Sequence, residues 1–140
     1  VAKTVRVKWV EKRQFVGTDY SNHSVVLSSQ DEENGTGMSP SALLLVGLGG
    51  CTGYDVVDIL QKKRQLLTGL EVTVTGEQDK DPPWTYRKIH IHYEVRGKGL
   101  REKAVHDAIK LSDEKYCSVA ATLRGVAEIS YDCTIVDEEN

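Results

Sequence analysis

The sequence predicts an α+β protein. Two observations carry this: strand-like stretches alternate with period two in three separate blocks, and a long apolar helical stretch divides the first block from the second. Hairpin-like spacing between neighbouring strand stretches adds an antiparallel sheet to the expectation. At 140 residues, 39% hydrophobic and 28% charged, the chain has the size and composition of one globular domain, residues 1–140.

The first block holds three short strands. Val5, Val7 and Trp9 oppose Arg6 and Lys8; "QFVGT" and "HSVVLSS" follow, with Gly17, Asp19, Ser21 and Asn22 as turn residues. The acidic, glycine-containing stretch from Gln30 to Pro40, "QDEENGTGMSP", reads as a mobile loop rather than a strand. Ser39 and Pro40 then open a helix, a hydroxyl cap followed by a proline in the first turn. This helix runs to about Lys63 and is apolar throughout its first half. Strands return in "LEVTVTG" and "TYRKIHIHYEVRG", separated by a turn at Pro82 and Pro83. In the second of these, Ile89, Ile91, Tyr93 and Val95 share one face, and Lys88, His90, His92 and Glu94 the other. A second helix spans about Leu100 to Leu111. A third opens in "SDEKYCSVAATLRG", with Ser112 and Ser118 both candidate caps and Gly125 its stop. The last strand sets Ala127, Ile129, Tyr131, Cys133 and Ile135 on one side.

Charge and motifs exclude several functions. A net charge of −3 gives no electrostatic basis for a nucleic-acid partner or an anionic membrane surface. The longest apolar run, Ala42 to Gly50, falls short of the roughly 18 residues that span a bilayer. The opening "VAKTVRVKWV" alternates, so no secretory leader is expected. Phosphate loops of the GxxxxGK[ST] and GxGxxG forms are absent, as is GxSxG. Three isolated cysteines build neither a disulfide framework nor a zinc cluster, and no metal or other cofactor is expected. A reducing cytoplasm is the expected compartment.

The cysteines remain. Cys133 alternates into the apolar face of a strand and reads as a core residue. Cys51 lies inside "LLLVGLGGCTGYDVV", where Gly47, Gly49, Gly50 and Gly53 each cost a helix about 1 kcal/mol relative to alanine. Those glycines imply close approach of another segment, or space around the sulfur. Cys117, in "EKYCSVAA", stands at the start of the third helix, where free backbone N–H groups favour an anion. Nothing in the spacing says that Cys51 and Cys117 meet.

"MSPSALLLVGLGGCTGYDVVDILQKKRQ" together with "LSDEKYCSVAATL" resembles the OsmC/Ohr superfamily of osmotically inducible and organic-hydroperoxide-resistance proteins. The likeness extends through the strand–helix order and points to the less-characterised OsmC-like branch. It implies an intertwined homodimer whose long helices pack beneath antiparallel sheets, with Cys51 and Cys117 close together as catalytic residues. Cys51 then corresponds to the family's peroxidatic cysteine and Cys117 to its resolving one. The substrate implied is an organic hydroperoxide and the reductant an external dithiol. Two positions depart from the peroxidase branches. Ser41 and Ala42 stand where those branches carry a glutamate, and Gln30, Asp31, Glu32 and Glu33 where they carry an activating arginine. Two other readings fit the same residues: a non-catalytic binder of a hydrophobic ligand, and a cysteine-nucleophile enzyme of another class, such as acyl or thiol transfer.

Overall fold

The structure, a computed structural model, describes residues 1–138. Its contacts fall into two compact units, residues 1–44 and the chain from Leu45 onward.

The first unit is a meander of β1 (Arg6–Glu11), β2 (Gln14–Thr18) and β3 (Ser24–Ser28), antiparallel throughout and paired at Trp9–Phe15 and Val16–Val26. The Gln30–Pro40 segment folds back on β3: Ser28 N–H donates to the Met38 carbonyl at 3.1 Å, and Met38 N–H to that of Val26 at 3.1 Å. Asp31 organises its turn, accepting from Ser29 Oγ at 2.6 Å and from Asn34 N–H at 2.9 Å. The hydrogen bonds from the Ser29 and then the Asn34 side chain lower its carboxyl to about 2. The acidic loop therefore has defined structure.

The helix α1 (Pro40–Lys62) starts where the cap and proline place it, Ala42 N–H donating to Ser39 Oγ at 3.2 Å. Past Lys62 the chain turns through a left-handed Arg64, φ 57°, and the helix stops. Leu48, Thr52, Val56 and Leu60 recur every fourth residue as one buried stripe. By length and mean hydropathy α1 also passes as a membrane-crossing helix. The stripe assigns it to the core of the second unit.

That core lies between α1, the helices that follow, and a sheet of β4 (Leu66–Gln78), β5 (Tyr86–Lys98) and β6 (Glu128–Asp137). Ile89, Ile91, Tyr93 and Val95 point into it, all less than 3% exposed, as their alternation predicts. The sheet departs from the expected antiparallel pattern at one edge. β4 and β5 form an antiparallel hairpin, but β6 runs parallel to β5, Tyr93 facing Cys133. The reason is the connection: α2 (Glu102–Leu111), a π-turn (Ser112–Tyr116) and α3 (Ser118–Leu123) return the chain to the end at which β5 began.

Candidate functional site

Cys51 is half-buried on α1, one residue before the buried Thr52. Cys117 arrives from the other side. Helix α2 buries Ala104, Val105, Ala108 and Ile109 and then widens into the π-turn, which closes with Cys117 N–H donating to the Ser112 carbonyl at 2.9 Å. Neither Ser112 nor Ser118 caps α3. Cys117 does so itself, its extended backbone (φ −78°, ψ 103°) letting Sγ accept from Ala120 N–H at 3.4 Å. At that position Cys117 is 2% exposed and lies beside the Cys51 side chain. Burial, and then Cys51, pushes the Cys117 thiol up to about 11. Cys117 therefore holds its proton as the buried member, and Cys51 is the accessible sulfur. Both are free thiols.

The glycines around Cys51 divide into two groups. A Cβ on Gly49 would stand 3.2 Å from Val74 Cγ2, so Gly49 lets β4 approach the helix closely, whereas one on Gly53 would meet Val72 Cγ2 at an ordinary contact of 3.5 Å. Gly47 and Gly50 meet nothing within 4 Å and lie on an open face. Beside Gly50 and Gly53 a groove of about 650 Å³ runs between α1 and β4, lined by Tyr54, Val57 and Leu70 among others.

Sequence reasoning missed a buried hydroxyl cluster that includes Thr52, the residue after Cys51. Thr52 Oγ1 lies 2.5 Å from Tyr93 Oη and 2.9 Å from Ser112 Oγ, and Ser112 donates to Asp55 Oδ2 at 2.8 Å. Thr52, Tyr93 and Ser112 are each at most 2% exposed. Burial pushes the Tyr93 phenol up to about 12, so it stays neutral and able to donate. A signal for this was present: a tyrosine on the apolar face of a strand needs a partner for its hydroxyl.

The remaining candidates lie apart from the pair. Cys133 is half-buried against the core, its Sγ 4.0 Å from His106 Nδ1, and burial raises its thiol. His90 and His92 project from the opposite face of β5, where His90 Nε2 and His92 Nδ1 each lie 2.8 Å from Asp132 Oδ1. His92, then His90, holds the Asp132 carboxyl below its usual range. Among the described residues no group of three or more His, Cys, Asp or Glu is arranged to hold a metal ion.

Comparison with known proteins agrees with the resemblance in the motifs. Protein YhfA of Escherichia coli strain K12 is 38% identical over 131 residues, covering 94% of this chain and 96% of the relative. The crystal structure of an OsmC-like protein from Mycoplasma pneumoniae superposes with a TM-score of 0.84 at 21% identity, covering 97% and 98% of the two chains. That of an organic hydroperoxide resistance protein OsmC from Legionella pneumophila gives 0.68 at 12% identity, covering 96% and 97%. The family model for OsmC-like proteins matches residues 32–132, a span that contains both Cys51 and Cys117. On that match, and on the extent of the likeness to YhfA, the chain belongs to the OsmC-like protein family.

Proposed function

We propose that the protein is a two-cysteine thiol peroxidase acting on organic hydroperoxides. The observation that carries this reading is that Cys51 and Cys117, residues from distant parts of the chain, are brought side by side, near enough for Cys51 to raise the Cys117 thiol. The name of the Legionella protein, which concerns organic hydroperoxide resistance, lends it support.

The accessible sulfur attacks and the buried one resolves. The Cys51 thiolate attacks the distal oxygen of the hydroperoxide. The O–O bond breaks, the alkoxide takes a proton and leaves as the alcohol, and Cys51 becomes a sulfenic acid. Cys117 then attacks that sulfur, its proton leaving with the hydroxide as water, and a Cys51–Cys117 disulfide remains. An external dithiol reduces it in two exchange steps and is itself oxidised to a disulfide. The compartment proposed for this cycle is the reducing cytoplasm.

A second copy of the chain is part of the same proposal. Val46 and Tyr54 are exposed apolar residues on α1, and Gly47 and Gly50 leave its outer face bare enough for another helix to approach. A homodimer packed there covers the groove beside Gly50.

Stopped-flow titration of the reduced protein with cumene hydroperoxide, and separately with hydrogen peroxide, tests the chemistry. Loss of two thiols per chain and a Cys51–Cys117 disulfide on peptide mapping are expected, with the organic peroxide reacting faster. Thiols that stay reduced for minutes in both would overturn the peroxidase and favour ligand binding in the groove. Rapid alkylation of Cys51 without peroxide turnover would favour another nucleophilic chemistry.

A further inference from the structure

The buried hydroxyl cluster has one direction of proton donation. Ser112 gives its single proton to Asp55 Oδ2. Its oxygen can therefore only accept from Thr52, which in turn can only accept from Tyr93. The order is Tyr93 to Thr52 to Ser112 to Asp55, and every hydroxyl in it is satisfied. A chain of this kind fixes side-chain torsions as well as distances.

Its two middle members are placed unusually with respect to the thiols. Thr52 follows Cys51 on α1 and points into the core. Ser112 opens the π-turn, and its carbonyl holds the N–H of Cys117 at 2.9 Å. One side-chain hydrogen bond, Thr52 to Ser112, thus links the neighbour of one sulfur to the residue that holds the backbone of the other.

Resting on the two-cysteine reading, we propose that Thr52 and Ser112 are positioning residues that clamp the Cys117 turn against α1 and so raise the effective concentration of one thiol at the other. Neither touches the peroxide. Their contribution is to disulfide closure, with Tyr93 and Asp55 fixing the two ends of the clamp. Reacting groups held in place exceed free ones by large factors, and small displacements lose much of that advantage.

The test is an equilibrium measured without peroxide. Full-length reduced protein is incubated in buffers of increasing glutathione disulfide over glutathione, quenched with acid, alkylated and peptide-mapped. In the balanced reaction two protein thiols and one glutathione disulfide give the Cys51–Cys117 disulfide and two glutathiones. Thr52→Val and Ser112→Ala should each require buffers about tenfold more oxidising to reach half-conversion, as expected for lost positioning. Thr52→Ser, which restores the hydroxyl, should return to the wild-type midpoint. Leu60→Ala, a core truncation elsewhere on α1, should lower thermal stability without moving the midpoint. Where Thr52→Val does not fold, Tyr93→Phe takes its place, with a smaller shift in the same direction. Unchanged midpoints in the hydroxyl variants, or an equal shift in Leu60→Ala, would overturn the clamp. Shifted midpoints in the hydroxyl variants, together with a wild-type protein that ignores cumene hydroperoxide, would refute the peroxidase and leave the clamp standing.

Discussion

The hydroxyls of Thr52 and Tyr93 lie 2.5 Å apart with both residues closed off from solvent, joining α1 to β5 through a polar contact inside an apolar core. A buried hydroxyl pair contributes through its hydrogen bond and penalises its own disruption, because the partner left behind stays desolvated.

Tyr93→Phe therefore costs stability without leaving a large cavity. The loss expected is about 1–2 kcal/mol, from one buried hydrogen bond and an unsatisfied acceptor on Thr52. Urea unfolding followed by circular dichroism reads it. A variant as stable as the parent would show that the pair contributes nothing net.

The three cysteines should separate in function. Cys51→Ser abolishes peroxide consumption, because no nucleophile remains. Cys117→Ser permits one turnover and then holds Cys51 as a sulfenic or overoxidised species, visible as added oxygen by mass spectrometry. Cys133→Ser leaves turnover unchanged, since Cys133 lies beside His106 and outside the pair. Continued turnover in Cys51→Ser would end the assignment.

Alkaline stability follows from the buried thiol and phenol. Cys117 is raised from 9.0 to about 11 and Tyr93 from 10.0 to about 12. Both groups stay protonated in the folded chain over a range where the unfolded chain releases protons. Their contribution is whole below pH 9.0 and disappears as the pH climbs toward 12. Denaturation midpoints measured from pH 8 upward should fall across that window. A Cys117→Ala, Tyr93→Phe double variant should show a flatter decline, and a parallel one would refute the attribution.

The two kinds of glycine predict opposite phenotypes. Gly49→Ala forces Val74 to move and should lower the melting temperature despite better helix propensity. Gly50→Leu has room in the single chain, so its expected effect is on assembly. Analytical ultracentrifugation should show a shift from dimer to monomer, and an undisturbed dimer would place the interface elsewhere.

Much of the architecture was legible because local burial patterns dictate it. β5 alternates cleanly, since one of its faces is sealed against the core, and α1 begins where Ser39 and Pro40 put it. The parallel pairing of β6 was not legible, because strand direction depends on where two helices and a turn deliver the chain. Nor was the π-turn: residues 112–116 have an ordinary helical composition, and nothing in it distinguishes i+4 from i+5 bonding. Cys117 as a helix cap went unforeseen because sulfur is a weak acceptor and two serines nearby are better ones. Juxtaposition of Cys51 and Cys117 came from family resemblance alone. The Tyr93–Thr52–Ser112–Asp55 chain fell outside both routes, since its members belong to no motif.

The π-turn also sets a rule for how this segment can vary. In ordinary helical winding each residue advances the side-chain direction by about 100°. The π-turn holds one residue more than that winding needs, since Cys117 N–H reaches back five residues to the Ser112 carbonyl instead of four. Asp113 is tied to Arg124 by an ion pair, whereas Glu114 and Lys115 are exposed and free to vary. The surplus residue therefore belongs at the exposed end of the turn, and a relative one residue shorter there can close onto the same carbonyl with ordinary helical spacing and keep its second cysteine in place.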